Sequence, residues 1–137
     1  VGRRIMLHKK EIEIRWRDLD AYGHVNHIVF LTYLEEARDE WLGSSLGDPA
    51  LVWNYVVARV EIDYRRELTL ADDVVVATCE LERIGTSSVR THESVLTRDG
   101  ELAAEGRAVL VARDQETGRS RPLTPEERTA FESVAAA

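Results

Sequence analysis

Cysteine is nearly absent. Cys79 stands alone among 137 residues, so the chain can form no disulfide within itself. It lies in "VVVATCEL" among apolar neighbours, where a small buried side chain is expected, and a lone buried thiol suits a reducing compartment. Positive charge is in deficit, 18 Lys and Arg against 25 Asp and Glu, for a formal net charge of −7. Such a balance repels nucleic acid and anionic membrane at long range, although a local arginine cluster can still hold a small anion. No apolar run approaches the roughly 18–20 residues of a membrane helix, so no membrane insertion is expected. No charged-then-apolar leader pattern is seen, and the expected address is cytoplasmic. Internal repeats, low-complexity tracts and long linkers are also missing, and residues 1–137 are read as a single domain. Hydrophobic content of 44% with 31% charge argues for a folded core rather than disorder.

What is present is regular patterning. "HKKEIEIRWR" alternates, with Ile12, Ile14 and Trp16 on one face, which predicts a half-buried strand. From residue 27 the period changes. Phe30, Leu34, Ala37 and Trp41 form an apolar stripe that predicts an amphipathic helix over 27–42, stopped by Gly43. "VARVEIDYRR" returns to strict alternation, and "DVVVATCELERI", "GTSSVRTHESVLTR" and "ELAAEGRAVLVARD" continue as strands, with Asp99–Gly100 marking a hairpin. Near the end, Thr124, Pro125 and Glu127 spell a capped short helix. One strand, one long helix and four strands in meander-like succession predict an α+β fold. A curved antiparallel five-stranded sheet wraps around the long helix, with a short C-terminal helix added. Uncovered sheet and edge strands favour a homodimer or homotetramer over a monomer.

The densest chemistry lies in "DLDAYGHVNH", residues 18–27, between the first strand and the long helix. Three readings fit the spacing. Asp20 and Asn26 can be turn and cap residues with Gly23 at positive φ. Asp18, Asp20, His24 and His27 can be metal ligands, although no further Cys or His cluster supports them. Or a carboxylate beside unpaired helix N–H groups can act on a carbonyl. Spacing alone leaves all three open.

The stretch "DLDAYGHVNHIVFLTYLEEAR" closely resembles the signature of the hotdog-fold acyl-CoA thioesterases of the 4-hydroxybenzoyl-CoA thioesterase superfamily. The pattern D-x-D-x-x-G-x-V, then Asn or His, then a helix with aromatics and Glu-x-x-Arg, reads here as Asp18, Asp20, Gly23, Val25, His27, Phe30, Tyr33, Glu35 and Arg38. "VEIDYRRELTLADDV", "RIGTSSV", "DGELAAEGRAVLVARD" and "GRSRPLTPEER" resemble later parts of the same family. The resemblance implies hydrolysis of an acyl-CoA to free acid and CoA. Asp20 matches the catalytic carboxylate, either nucleophile or general base. His27 matches the histidine of the Tol-Pal-associated branch, and its backbone N–H the carbonyl-polarising donor. Many relatives place Asn at His27, and a Tyr that some carry four residues before the aspartate is Trp16 here, which cannot act as an acid.

On the CoA side, the Gly85–Thr86–Ser87–Ser88 turn resembles a family ligand-contact position, joined as candidates by Arg90, Arg59 and, as core or acyl-pocket wall, Trp16. Arg65, Arg66 and Arg83 are further cations near the strands, His24 is read as turn-stabilising, and Asp18 as a partner for Arg15 or Arg17. No metal and no organic cofactor is implied, because CoA is part of the substrate. The resemblance also implies a site at a dimer interface. The alternatives are a thioesterase acting on acyl carrier protein and a non-catalytic acyl-CoA-binding protein of the same fold.

Overall fold

The computed structural model describes residues 7–135, so the expected domain limits at Val1 and Ala137 lie outside the described residues. Its elements are β1 (His8–Glu13), α1 (His27–Leu46), β2 (Tyr55–Tyr64), β3 (Val74–Ile84), β4 (Ser88–Thr97), β5 (Leu102–Ala112) and α2 (Pro125–Val134). The strands form one antiparallel sheet in the order β1-β3-β4-β5-β2. The expected meander therefore holds only for β3, β4 and β5. β2 precedes β3 in the chain yet pairs with β5, from Tyr55 opposite Ala112 to Tyr64 opposite Ala104. Alternation identifies a strand and its faces but carries no information about its neighbour. At this seam only glycine fits position 106, because a Cβ there would collide with the Glu61 carbonyl oxygen.

The stripe Phe30, Leu34, Ala37 and Trp41 is buried as the 3.6-residue period requires, and Tyr33, Arg38 and Leu42 join it. Two boundaries differ from expectation. α1 runs through Gly43 to Leu46 and stops at Gly47, whose φ of 79° is the left-handed cap. Gly43 is needed for closeness instead, since a Cβ there would meet Pro49 Cα at 3.1 Å. Glycine weakens a helix by only about 1 kcal/mol, too little to end one whose apolar face is buried. The second correction concerns Trp16. Ile12 and Ile14 are buried, but β1 ends at Glu13 and a 3₁₀ turn over Trp16–Asp18 breaks the alternation. Trp16 is 80% exposed and forms no part of the core of this chain.

A polar group lies inside the core. Arg38 on α1 donates from Nε and Nη2 to the two oxygens of Glu93 on β4, both at 2.8 Å, and Thr91 Oγ1 adds a third donor at 2.6 Å. Cys79, fully buried as expected, donates to the same carboxylate at 3.8 Å, and burial pushes its thiol pKa well up. Among the described residues no helix is long and apolar enough to cross a membrane.

α2 begins as its sequence predicts. Thr124 Oγ1 accepts the Glu127 N–H and Glu127 accepts the Thr124 N–H, at 3.1 and 2.8 Å. Burial alone would raise the Glu127 pKa, but Arg121, the Thr124 N–H and the Tyr55 hydroxyl outweigh it and hold the carboxyl at about 2. A folded-state value below the ordinary 4.5 means stability present above that value and lost as pH falls through about 2. Glu127→Gln should therefore lower the melting temperature at pH 7 by roughly 4 °C. In circular-dichroism melts the gap to the parent protein should close as pH drops from 5 towards about 2.

Candidate active site

Residues 18–26 close into a tight loop between β1 and α1. The Asn26 N–H donates to the Asp18 carbonyl at 2.9 Å, and the Asp20 N–H to the His24 carbonyl at 2.8 Å. Gly23, with φ of 77°, makes the reversal. The Val25 N–H donates to the Leu68 carbonyl at 2.7 Å, tying the loop to the segment after β2. Asp20 Oδ1 accepts the backbone N–H groups of Tyr22 and His24 at 2.9 and 3.2 Å. The turn reading of Asp20 is thus correct for one oxygen. Among the described residues Oδ2 has no hydrogen-bond partner, and the side chain is only half-buried.

Asn26 is the N-cap of α1. Its Oδ1 accepts the Ile28 N–H at 3.0 Å and its carbonyl the Val29 N–H at 2.9 Å, leaving the His27 N–H served by neither. Tyr64, the last residue of β2, donates its hydroxyl to the His27 carbonyl at 2.8 Å. Its ring meets the His27 and Phe30 rings edge-on, with centroids 6.2 and 5.2 Å away.

Asp20, His27, Phe30 and Tyr64 line one cavity of about 360 Å³, with Val25 behind and His24, Arg65, Arg66 and Glu67 around it. The two residues expected to be catalytic thus share a cavity at the positive end of α1, where backbone donors favour an anionic oxygen. His24 Nε2 lies 3.2 Å from Glu67 Oε2, in the segment after β2. Asp18 finds Arg15 as expected, through the Arg15 N–H at 2.9 Å, but also an unexpected partner in Tyr33. Among the described residues no group of three or more His, Cys, Asp or Glu side chains is placed to hold a metal ion.

The CoA candidates lie elsewhere. Gly85, Ser88 and Arg90 line a separate cavity of about 210 Å³ with Arg83. The Thr86 and Ser87 carbonyls accept the Leu123 and Ala112 N–H groups, and Arg128 donates to the Gly85 carbonyl. That turn sits at the Tyr55 end of β2, whereas Asp20 and His27 sit at the Tyr64 end. Ten residues of strand put the two ends about 30 Å apart. Within one chain Asp20 and His27 are not brought together with the 85–88 turn. Arg59 is exposed on β2 and paired with Glu61 at 3.0 Å, and Trp16 lines neither cavity. Tyr64 was missed as a site residue because its place in the alternation explains it fully as strand.

A five-stranded antiparallel sheet curved around one long helix, with a short C-terminal helix added, is the hotdog fold. The chain belongs to the thioesterase-like superfamily, whose sequence pattern matches residues 14–134. It is similar to the long-chain acyl-CoA thioesterase FadM of Escherichia coli (strain K12), 30% identical over 131 residues that cover 90% of this chain and 96% of FadM. Among solved structures it resembles a thioesterase from Thermus thermophilus complexed with coenzyme A and zinc. That protein is 37% identical, with a TM-score of 0.82 over 90% of this chain and 96% of its own. A predicted thioesterase from Bacillus stearothermophilus is 27% identical, with a TM-score of 0.86 over 95% and 97%.

Proposed function

We propose that this chain hydrolyses an acyl-CoA to the free carboxylic acid and CoA, with Asp20 as nucleophile or general base. The observation that carries the reading is the unpartnered Oδ2 of Asp20 in a cavity it shares with His27 at the N-terminus of α1. The thioester carbonyl lies over the first turn of α1, where the His27 N–H polarises it. In the general-base route Asp20 takes a proton from water while the water oxygen adds to the carbonyl carbon. The C–S bond then breaks, and the CoA thiolate leaves and regains the proton. In the nucleophilic route Oδ2 adds to the carbonyl carbon, the C–S bond breaks and CoA leaves as the thiolate to give an anhydride. Water cleaves the anhydride to the free acid and the Asp20 carboxylate, the released proton going to the thiolate. The His27 imidazole orients the reacting groups. No metal or organic cofactor enters either route as proposed, and a lone buried thiol at Cys79 suits a reducing compartment such as the cytoplasm.

The site is completed by a second copy of the chain. Among the described residues β2 is an edge strand hydrogen-bonded only to β5, with Val56, Val57, Val60 and Tyr64 all exposed. Antiparallel pairing of two β2 edges reverses one strand against the other, so the 85–88 turn of the partner subunit approaches the Asp20 cavity of this one. That brings together two features that lie at opposite ends of β2 within one chain. Val60→Glu should shift the protein to monomer in light-scattering chromatography and lower turnover about tenfold or more.

A thiol-release assay over aliphatic, aromatic and branched acyl-CoAs tests the function. Binding without cleavage of any thioester would favour the acyl-CoA-binding alternative, and preference for acyl carrier protein the other. Activity lost to a chelator and restored by zinc would return the metal reading.

A further inference from the structure

A second carboxylate lies beneath the catalytic loop and takes no part in the chemistry just described. Asp18 is 5% exposed and Tyr33, on the second turn of α1, is fully buried. Asp18 Oδ2 accepts two hydrogen bonds, from the Tyr33 hydroxyl at 2.7 Å and from the Arg15 N–H at 2.9 Å. The main-chain carbonyl of the same residue accepts the N–H of Asn26, the cap of α1, at 2.9 Å. Burial first, and the Asp18 contact second, push the Tyr33 phenol upward and keep it a donor.

One residue thus joins the chain leaving β1, the cap of α1 and the second turn of α1, and Asp20 lies in the loop these three points enclose. Two apolar side chains could fill the same space without desolvating a carboxylate, but they would not fix direction. A short charge-assisted hydrogen bond does. We infer that Asp18 and Tyr33 form a clamp that sets the Asp20 carboxylate at its working distance from the first turn of α1. They are positioning residues for the proposed hydrolysis, and the inference rests on that reading. Geometry of this kind matters because a misplacement near 1 Å can lower a rate about 10²-fold.

The test compares Tyr33→Phe, Asp18→Asn and Asp18→Ala in steady-state kinetics and in hydrogen–deuterium exchange. Tyr33→Phe keeps the buried ring and removes only the donor. Asp18→Asn can place its carbonyl oxygen where Oδ2 stands and still accept both bonds, whereas Asp18→Ala cannot. We expect Tyr33→Phe and Asp18→Ala to lower kcat about tenfold or more with KM changed less than about twofold, and Asp18→Asn to recover most of it. Exchange should accelerate in residues 18–26 and stay unchanged in the sheet. Wild-type kcat in Tyr33→Phe and Asp18→Ala, even with lowered melting temperatures, would overturn the clamp, as would unchanged exchange in 18–26. If the parent protein cleaves no thioester, the hydrolase reading fails, and the exchange arm still decides whether the clamp exists.

Discussion

Asp20→Asn should lower kcat/KM for the best acyl-CoA about 10²–10⁴-fold while leaving the melting temperature nearly unchanged. The substitution is unusually clean at this position. The Asp20 oxygen that shapes the turn accepts N–H groups from Tyr22 and His24, and an asparagine carbonyl oxygen can accept both. The other oxygen, Oδ2, accepts no hydrogen bond among the described residues and becomes an amide nitrogen that can neither attack a carbonyl nor take a proton from water. Asp20→Ala removes the turn bonds as well and should lower both activity and melting temperature. The contrast between the two separates chemistry from loop structure. Stopped-flow or steady-state thiol release beside thermal melts measures it, and wild-type turnover in Asp20→Asn would remove Asp20 from the mechanism.

Arg38→Met should cost about 3–5 kcal/mol, lowering the melting temperature by roughly 10–20 °C. The change leaves the Glu93 carboxylate buried with Thr91 and Cys79 as its remaining donors. Both members of the pair are almost wholly enclosed, at 4% and 1% side-chain exposure, so water cannot take over the lost contacts. Arg38→Met with Glu93→Leu removes both charges and should return stability to within about 1.5 kcal/mol of the parent. Chemical denaturation of the two singles and the double yields the coupling directly. If the double mutant is as unstable as the single, the pair contributes more than the desolvation of its two charges.

Much of the molecule was legible in its residues. The alternation at 57–66, the strand pattern at 73–84, the stripe from Phe30 to Trp41 and the Thr124–Glu127 capping box are local patterns, and each appears as an element in the structure. The loop "DLDAYGHVNH" was likewise readable as a turn feeding a helix, and the family signature singled out Asp20 and His27 within it. Trp16 and Gly43 show where such patterns mislead. A 3₁₀ turn reverses a face that alternation extends, and a glycine can serve close packing instead of a helix end.

The sequence by itself thus determined the elements and their apolar faces, because these depend on neighbours within a few residues. Only the tertiary structure decided that β2 lies beside β5, that Tyr64 reaches the His27 carbonyl and that Tyr33 holds Asp18. It also decided that the 85–88 turn and Asp20 lie at opposite ends of β2 within one chain. These facts join residues distant in the chain. Periodicity states which face of a strand or helix is buried; which edges pair, and which side chains meet beneath a loop, follows from how all the buried faces close over one core.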